Sequence, residues 1–185
     1  MNSFDLTTFN FIHIPAGKWF LLDWLVIFFA IYVAYLLCAF LVVLLFNEKD
    51  RKKRAYAFAW VVLAMIVSRG IIAQAIHFFY QRTRPFVALE IEPVFNHTAT
   101  AAFPSGHMAL LATLILPVWY LNKKWGWIYL CSVIAVGAAR VYGAVHWPTD
   151  IIAGIILGVG VSYIVKHFLF KEESELAEEL DKEGE

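Results

Sequence analysis

Residues Leu25–Phe46 form a run of 22 side chains without a charge. At about 1.5 Å of rise per residue, a helix of that length crosses a hydrocarbon core of roughly 30 Å. In lipid the backbone N–H and C=O groups must be satisfied within the segment, so the run has to be an α-helix. The rest of the chain agrees: its 185 residues are 61% hydrophobic, mean hydropathy is +0.67, and the charges fall in blocks. Such a composition excludes a soluble domain.

Five apolar segments can be drawn, at about Trp19–Phe46, Ala55–Tyr80, His107–Leu121, Trp125–Ala139 and Pro148–Phe170. The expected fold is therefore all-α, a polytopic membrane bundle of about five transmembrane helices. The preceding residues, FDLTTFNFIHIPAG, are mildly amphipathic and too polar to cross, and read as an interfacial helix. Residues 1–170 read as one domain and 171–185 as an acidic cytoplasmic tail, which carries eight of the fifteen acidic residues. Cys38 and Cys131 fall on different segments and read as packing residues, not a disulfide.

Charge orients the segments. NEKDRKKRAY between the first two holds five Lys or Arg, and LNKK between the third and fourth holds two more. Cytoplasmic loops concentrate such residues, so these two connections are expected inside and the N-terminus outside. The outer connections are then Gln81–Gly106 and Val141–Trp147, and they hold most of the polar motifs.

In ARVYGAVHWPTD, Arg140 ends one segment, Pro148 starts the next, and His146 and Asp150 lie on either side of that proline. A carboxylate near an imidazole can hold one ring nitrogen and leave the other as a base or nucleophile. Each residue also has a plainer reading: Asp150 as a helix-dipole partner, Arg140 as a snorkelling side chain, His146 as a loop hydrogen-bonder. In the other outer loop, RTRPF (Arg82–Phe86) is followed by FPSGHM (Phe103–Met108). Pro104, Ser105 and Gly106 lead into a helix whose first N–H groups and dipole favour an anion, with His107 at its edge.

Together these stretches resemble the type 2 phosphatidic acid phosphatase (PAP2) superfamily. Its signature is Lys-x6-Arg-Pro, then Pro-Ser-Gly-His, then Ser-Arg-x5-His-x3-Asp; here the parts read HFFYQRTRP, PSGH and ARVYGAVHWPTD. His77 stands where the family has its lysine, and Ala139 stands where it has its serine. Arg82 either supplies the missing charge or is an ordinary surface arginine. RPFVAL and TATAAFPSGH are similar to the bacterial undecaprenyl-pyrophosphate phosphatase branch.

The resemblance implies that His146, oriented by Asp150, attacks phosphorus and forms a phosphohistidine, while His107 protonates the leaving oxygen. It implies that Arg84, Arg140, Ser105 and the Gly106 N–H hold the phosphate oxygens, with His77 or Arg82 completing the set. The expected substrate is an isoprenoid diphosphate, undecaprenyl diphosphate above all. The alternatives are a phosphatidate or phosphatidylglycerophosphate phosphatase, or a non-catalytic lipid-phosphate carrier. Neither a metal, a cofactor nor a nucleic-acid partner is expected. The expected location is the plasma (inner) membrane, with the site facing outward. Arg69, inside the second segment, is expected to face the bundle and can pair with Asp23. Asn96–Thr98 fits a glycosylation pattern too short to weigh against chance.

Overall fold

In the computed structural model the regular elements of the described residues, 2–183, are all helices, with no strand; side chains are described as far as Leu169. The acidic tail expected at 171–185 has its side chains outside that range. Helix α1 is Ser3–His13, α2 is Phe20–Asn47, α3 is Arg51–Phe79 and α4 is the short Pro85–Ala88. They are followed by α5 (Gly106–Thr113), α6 (Ile115–Leu121), α7 (Lys123–Tyr142) and α8 (Pro148–Glu183). Among the described residues four helices are long and apolar enough to cross a membrane: α2, α3, α7 and α8 as far as Leu169. Their outward surfaces carry exposed Leu25, Phe28, Phe58, Ile71, Ile134 and Ile156, as lipid-facing surfaces should.

Helix ends follow local chemistry. Asn2, Asp50 and Asn122 accept hydrogen bonds from the N–H groups of Phe4, Lys52 and Trp125 and so cap α1, α3 and α7. At the start of α8, Asp150 reaches back to the Trp147 N–H at 2.8 Å, the acidic half of a capping box.

The third apolar segment, Gly106–Leu121, is 16 residues and about 24 Å long, too short to span by itself. It also breaks at Leu114. Pro117 cannot donate to the Thr113 carbonyl, and the Ser162 hydroxyl donates to that oxygen at 2.7 Å instead. Ser68 of α3 donates to the Ala109 carbonyl at 3.1 Å. Because α3 and α5 run in opposite directions, Gly106 then lies level with about Ile71, eight residues or roughly 12 Å short of the end of α3 at Phe79. The loop after α3 therefore dips into the bundle before α5 begins, a path open to irregular backbone only where protein surrounds it.

Helices α5 and α8 make the most extensive contact in the molecule. Gly154 and Gly158, one turn apart on α8, let it press on the backbone of α5: a Cβ on either would fall 2.7 Å from the carbonyl oxygen of Ser105 or Ala109. Such small-xxx-small pairs are how membrane helices approach closely. The core around them includes Met108, Leu111, Val133, Val136, Trp147 and Ile151.

Candidate active site

Helices α3, α5, α7 and α8 bring their site-bearing ends to one end of the bundle, opposite the basic connections at 47–51 and 121–123. Between Arg140 and His146 the chain reverses through Ala144, which adopts a left-handed backbone (φ 61°) and accepts the Phe86 N–H at 3.0 Å. That turn folds His146 back beneath Arg84 and Arg140. All three are buried, as are Ser105 and Asp150.

The carbonyls of the dipping loop explain much of this arrangement, because buried oxygens need donors. Arg84 supplies two, its Nε donating to Thr100 O at 2.8 Å and Nη2 to Ala101 O at 3.1 Å, while Nη1 donates to Val145 O of the turn before α8 at 2.7 Å. His77 hydrogen-bonds Pro104 O through Nε2 at 2.8 Å, and Trp147 Nε1 donates to Thr83 O at 2.9 Å. The Ser105 N–H donates to Asp150 O at 3.0 Å and ties the Pro-Ser-Gly turn to α8.

His146 Nδ1 lies 2.9 Å from Ala102 O, so its N–H donates there and Nε2 carries the lone pair. Nε2 meets Arg84 Nη1 at 3.3 Å. Asp150, expected to orient the ring directly, stands at 3.7 Å from Nδ1. Its oxygens are taken by the Trp147 N–H and by Arg82, so the carbonyl holds the tautomer and the carboxylate adds charge behind it. Burial first, then Arg140 and Arg84, hold the His146 imidazole well below its ordinary pKa. Burial likewise brings the Arg84 guanidinium down to about 10, against the pull of Asp150, which still leaves it charged at neutral pH.

Neither Arg84 nor Arg140 forms an ion pair with a carboxylate among the described residues. Arg140 Nη1 donates to Ala30 O at 3.3 Å and Nη2 to His97 Nε2 at 3.1 Å. Among the described residues, Arg140 Nε, Ser105 Oγ and Tyr129 Oη are the buried side-chain atoms that meet no hydrogen-bond partner. Two of those three were expected as phosphate ligands. His107 remains exposed and lines a cavity of about 230 Å³ with Gly106 and Arg69.

Two expected ligands are directed elsewhere. Arg82, read as a possible replacement for the lysine, donates to Asp150 Oδ1 at 2.6 Å, Thr149 Oγ1 at 2.7 Å and Asp5 Oδ2 at 2.5 Å. Burial works against its charge, but the two carboxylates outweigh that and raise its pKa. His77, at the lysine position itself, is bound to the loop carbonyl. The Arg69–Asp23 pair is also absent: Asp23 accepts from Tyr142 Oη at 2.6 Å and from the Gly17 N–H at 3.2 Å.

Asp5 was missed. It is buried, accepts the Thr149 N–H at 2.9 Å and joins Arg82 to α1, which docks further through Phe9 edge-on to Trp147. Despite its burial, these donors keep its pKa low. His97 was missed too; its ring lies 6.3 Å from that of His146 and it bridges the loop to Arg140. Neither sits in one of the three signature motifs, and the sequence signal was a lone acid or histidine in an outer segment.

Comparison with known proteins bears on the chemistry. The model of the PAP2 superfamily matches residues 58–174, more than half of the chain. The bacitracin transport permease protein BcrC of Bacillus licheniformis is 30% identical over 156 residues, covering 84% of this chain and 75% of that protein. The undecaprenyl-diphosphatase BcrC of Bacillus subtilis is 26% identical over 149 residues, covering 80% and 75%. The crystal structure of Aquifex aeolicus LpxE shares the fold, with a TM-score of 0.71 at 24% identity over 89% of this chain and 95% of that one. With carboxylate-free arginines around a buried histidine in an apolar helical bundle, the chain belongs to the PAP2 superfamily and is a membrane lipid phosphatase, a hydrolase of phosphate esters.

Proposed function

We propose that this phosphatase hydrolyses an isoprenoid diphosphate, undecaprenyl diphosphate in particular, to the monophosphate through a phosphohistidine on His146. The observation that carries the reading is the pair of carboxylate-free arginines, Arg84 and Arg140, beside unpartnered Arg140 Nε and Ser105 Oγ and an imidazole whose Nε2 lone pair faces Arg84. The name of the Bacillus subtilis relative, an undecaprenyl-diphosphatase, supports the choice of lipid.

On phosphate binding, the Arg84 Nη1 donor turns from His146 Nε2 to a phosphate oxygen and frees the lone pair. Nε2 forms a bond to the terminal phosphorus as the bond to the bridging oxygen breaks. Arg84, Arg140, Ser105 and the Gly106 N–H hold the three equatorial oxygens, where charge accumulates. His107 gives its proton to the leaving oxygen, then takes one from the water that attacks the phosphohistidine, releasing inorganic phosphate. Asp150, held by Arg82 and the Trp147 N–H, stabilises the positive charge that develops on the imidazole.

The basic connections at 47–51 and 121–123 support a cytoplasmic position for that end of the bundle. The site would then open at the outer face of the plasma membrane. Phosphate release by the purified protein from farnesyl and undecaprenyl diphosphates, their monophosphates, phosphatidate and phosphatidylglycerophosphate tests the substrate. The expected order puts the diphosphates first in kcat/KM; a preference for phosphatidate or phosphatidylglycerophosphate would overturn it.

A further inference from the structure

With Arg82 committed to two carboxylates and His77 to a carbonyl, a diphosphate still needs a cation for its second phosphate. Arg69 is half-buried in α3 and has no ion pair among the described residues. Its guanidinium lies against the start of α5, where a Cβ on Gly106 would fall 2.7 Å from Arg69 Nε and 3.0 Å from Cζ. Glycine at that position is what lets the arginine approach.

Backbone geometry aims the side chain. Arg69 sits in a π-helical segment, Ile66–Ile72, and a second such segment, Phe28–Val33, precedes Ala34 on the facing helix α2. Wide turns of this kind are frequent at functional sites in helices. Between them lies the 230 Å³ cavity, walled by Ala34, Tyr35, Cys38 and Leu110, with Arg69 and His107 on its polar side. A charge inside a span faces the protein interior or a cavity, and here it faces the cavity that holds the proton donor.

We infer that Arg69 and this cavity form a subsite for the leaving phosphate of a diphosphate substrate and the first part of its apolar chain. The inference rests on the diphosphate reading above. His107 protonates the leaving oxygen, so the leaving group lies on its side of the reacting phosphorus, the side Arg69 occupies. As the phosphorus–oxygen bond breaks, its electron pair goes to the bridging oxygen of the departing monophosphate, and Arg69 neutralises that charge. Arg84 and Arg140 hold the transferred phosphate; Arg69 holds the one that leaves.

The test compares farnesyl diphosphate with farnesyl monophosphate in detergent. Arg69→Gln should lower kcat/KM on the diphosphate about 10- to 100-fold, the effect of one lost charge-assisted contact, and change the monophosphate less than about threefold. Retained monophosphate activity shows that the variant is folded. Equal losses on both substrates would overturn the inference while leaving the diphosphate reading intact. A wild-type enzyme inactive on the diphosphate would overturn both. A second measurement leaves Arg69 untouched: in Cys131→Ser protein, farnesyl methylenediphosphonate should slow alkylation of Cys38, a cavity residue. Alkylation at the same rate with and without saturating analogue would also overturn the inference.

Discussion

At the scale of single residues, the proposed mechanism depends on keeping His146 neutral with its lone pair on Nε2. The Ala102 carbonyl fixes the tautomer, and burial holds the ring well below the ordinary histidine value of about 6.5. A base with a depressed pKa stays unprotonated as pH falls. His146 is therefore expected to remain an active nucleophile at pH 6, where an ordinary histidine is mostly protonated. The acid limb of kcat/KM, corrected for substrate ionisation, should lie below 6.5; a limb at the ordinary value would contradict this. In the proposed mechanism Asp5 reaches the reaction only through Arg82 and Asp150, which makes it a positioning residue. Asp5→Asn is expected to lower kcat roughly tenfold with little change in KM, as when a charge-assisted bond is weakened away from the substrate. A change confined to thermal stability would count against that role. The motif residues were readable because their spacing is local: Arg140, His146 and Asp150 lie within one turn-and-helix unit. The partnership of Arg82 was not, because Asp5 lies 77 residues away. A carbonyl such as Ala102 O has no side-chain identity to read.

At the scale of elements, the contact between α5 and α8 ties Ser105 to Asp150, whose backbone carbonyl accepts the Ser105 N–H, and so fixes where α5 begins. Gly158→Leu would drive a side chain into the Ala109 carbonyl, a backbone atom that cannot swing aside. Melting temperature and activity should fall together, with a cost of about 1–3 kcal/mol or more. Gly160, with nothing within 4 Å of its Cβ position, provides the control, and Gly160→Leu should leave both nearly unchanged. Equal tolerance of the two substitutions would show that the crossing does not set the site. The sequence marked the helices well where uncharged runs or proline and asparagine caps bound them. It did not reveal the two π-helical segments, since no residue pattern in SRGII or FFAIYV distinguishes a five-residue hydrogen-bond step from a four-residue one. The shortness of Gly106–Leu121 was visible, but its cause, a loop descending into the bundle, depends on contacts such as Ser68 to Ala109 that only the fold creates.

At the scale of the whole molecule, one end of the bundle carries seven basic residues in its two connections and the helix starts beside them, and the other carries the candidate site. In a background lacking Cys38 and Cys131, a cysteine at exposed Asn96 should react with an impermeant maleimide in intact cells, and one at exposed Lys52 should not. The reverse pattern would place the site in the cytoplasm. The charge in the site comes from arginines and backbone dipoles, so turnover is expected to survive excess EDTA and to fall with vanadate, which mimics five-coordinate phosphorus. Loss on chelation, restored by one divalent ion, would require a different mechanism. The covalent step is open to the most direct measurement: rapid acid-free quenching of the enzyme with farnesyl diphosphate labelled in its terminal phosphate, followed by peptide mapping. The expected result is an acid-labile, alkali-stable label on His146 that appears within one turnover and is missing from inactive His146→Ala. Turnover by His146→Ala, or a label carried by any other residue, would contradict it.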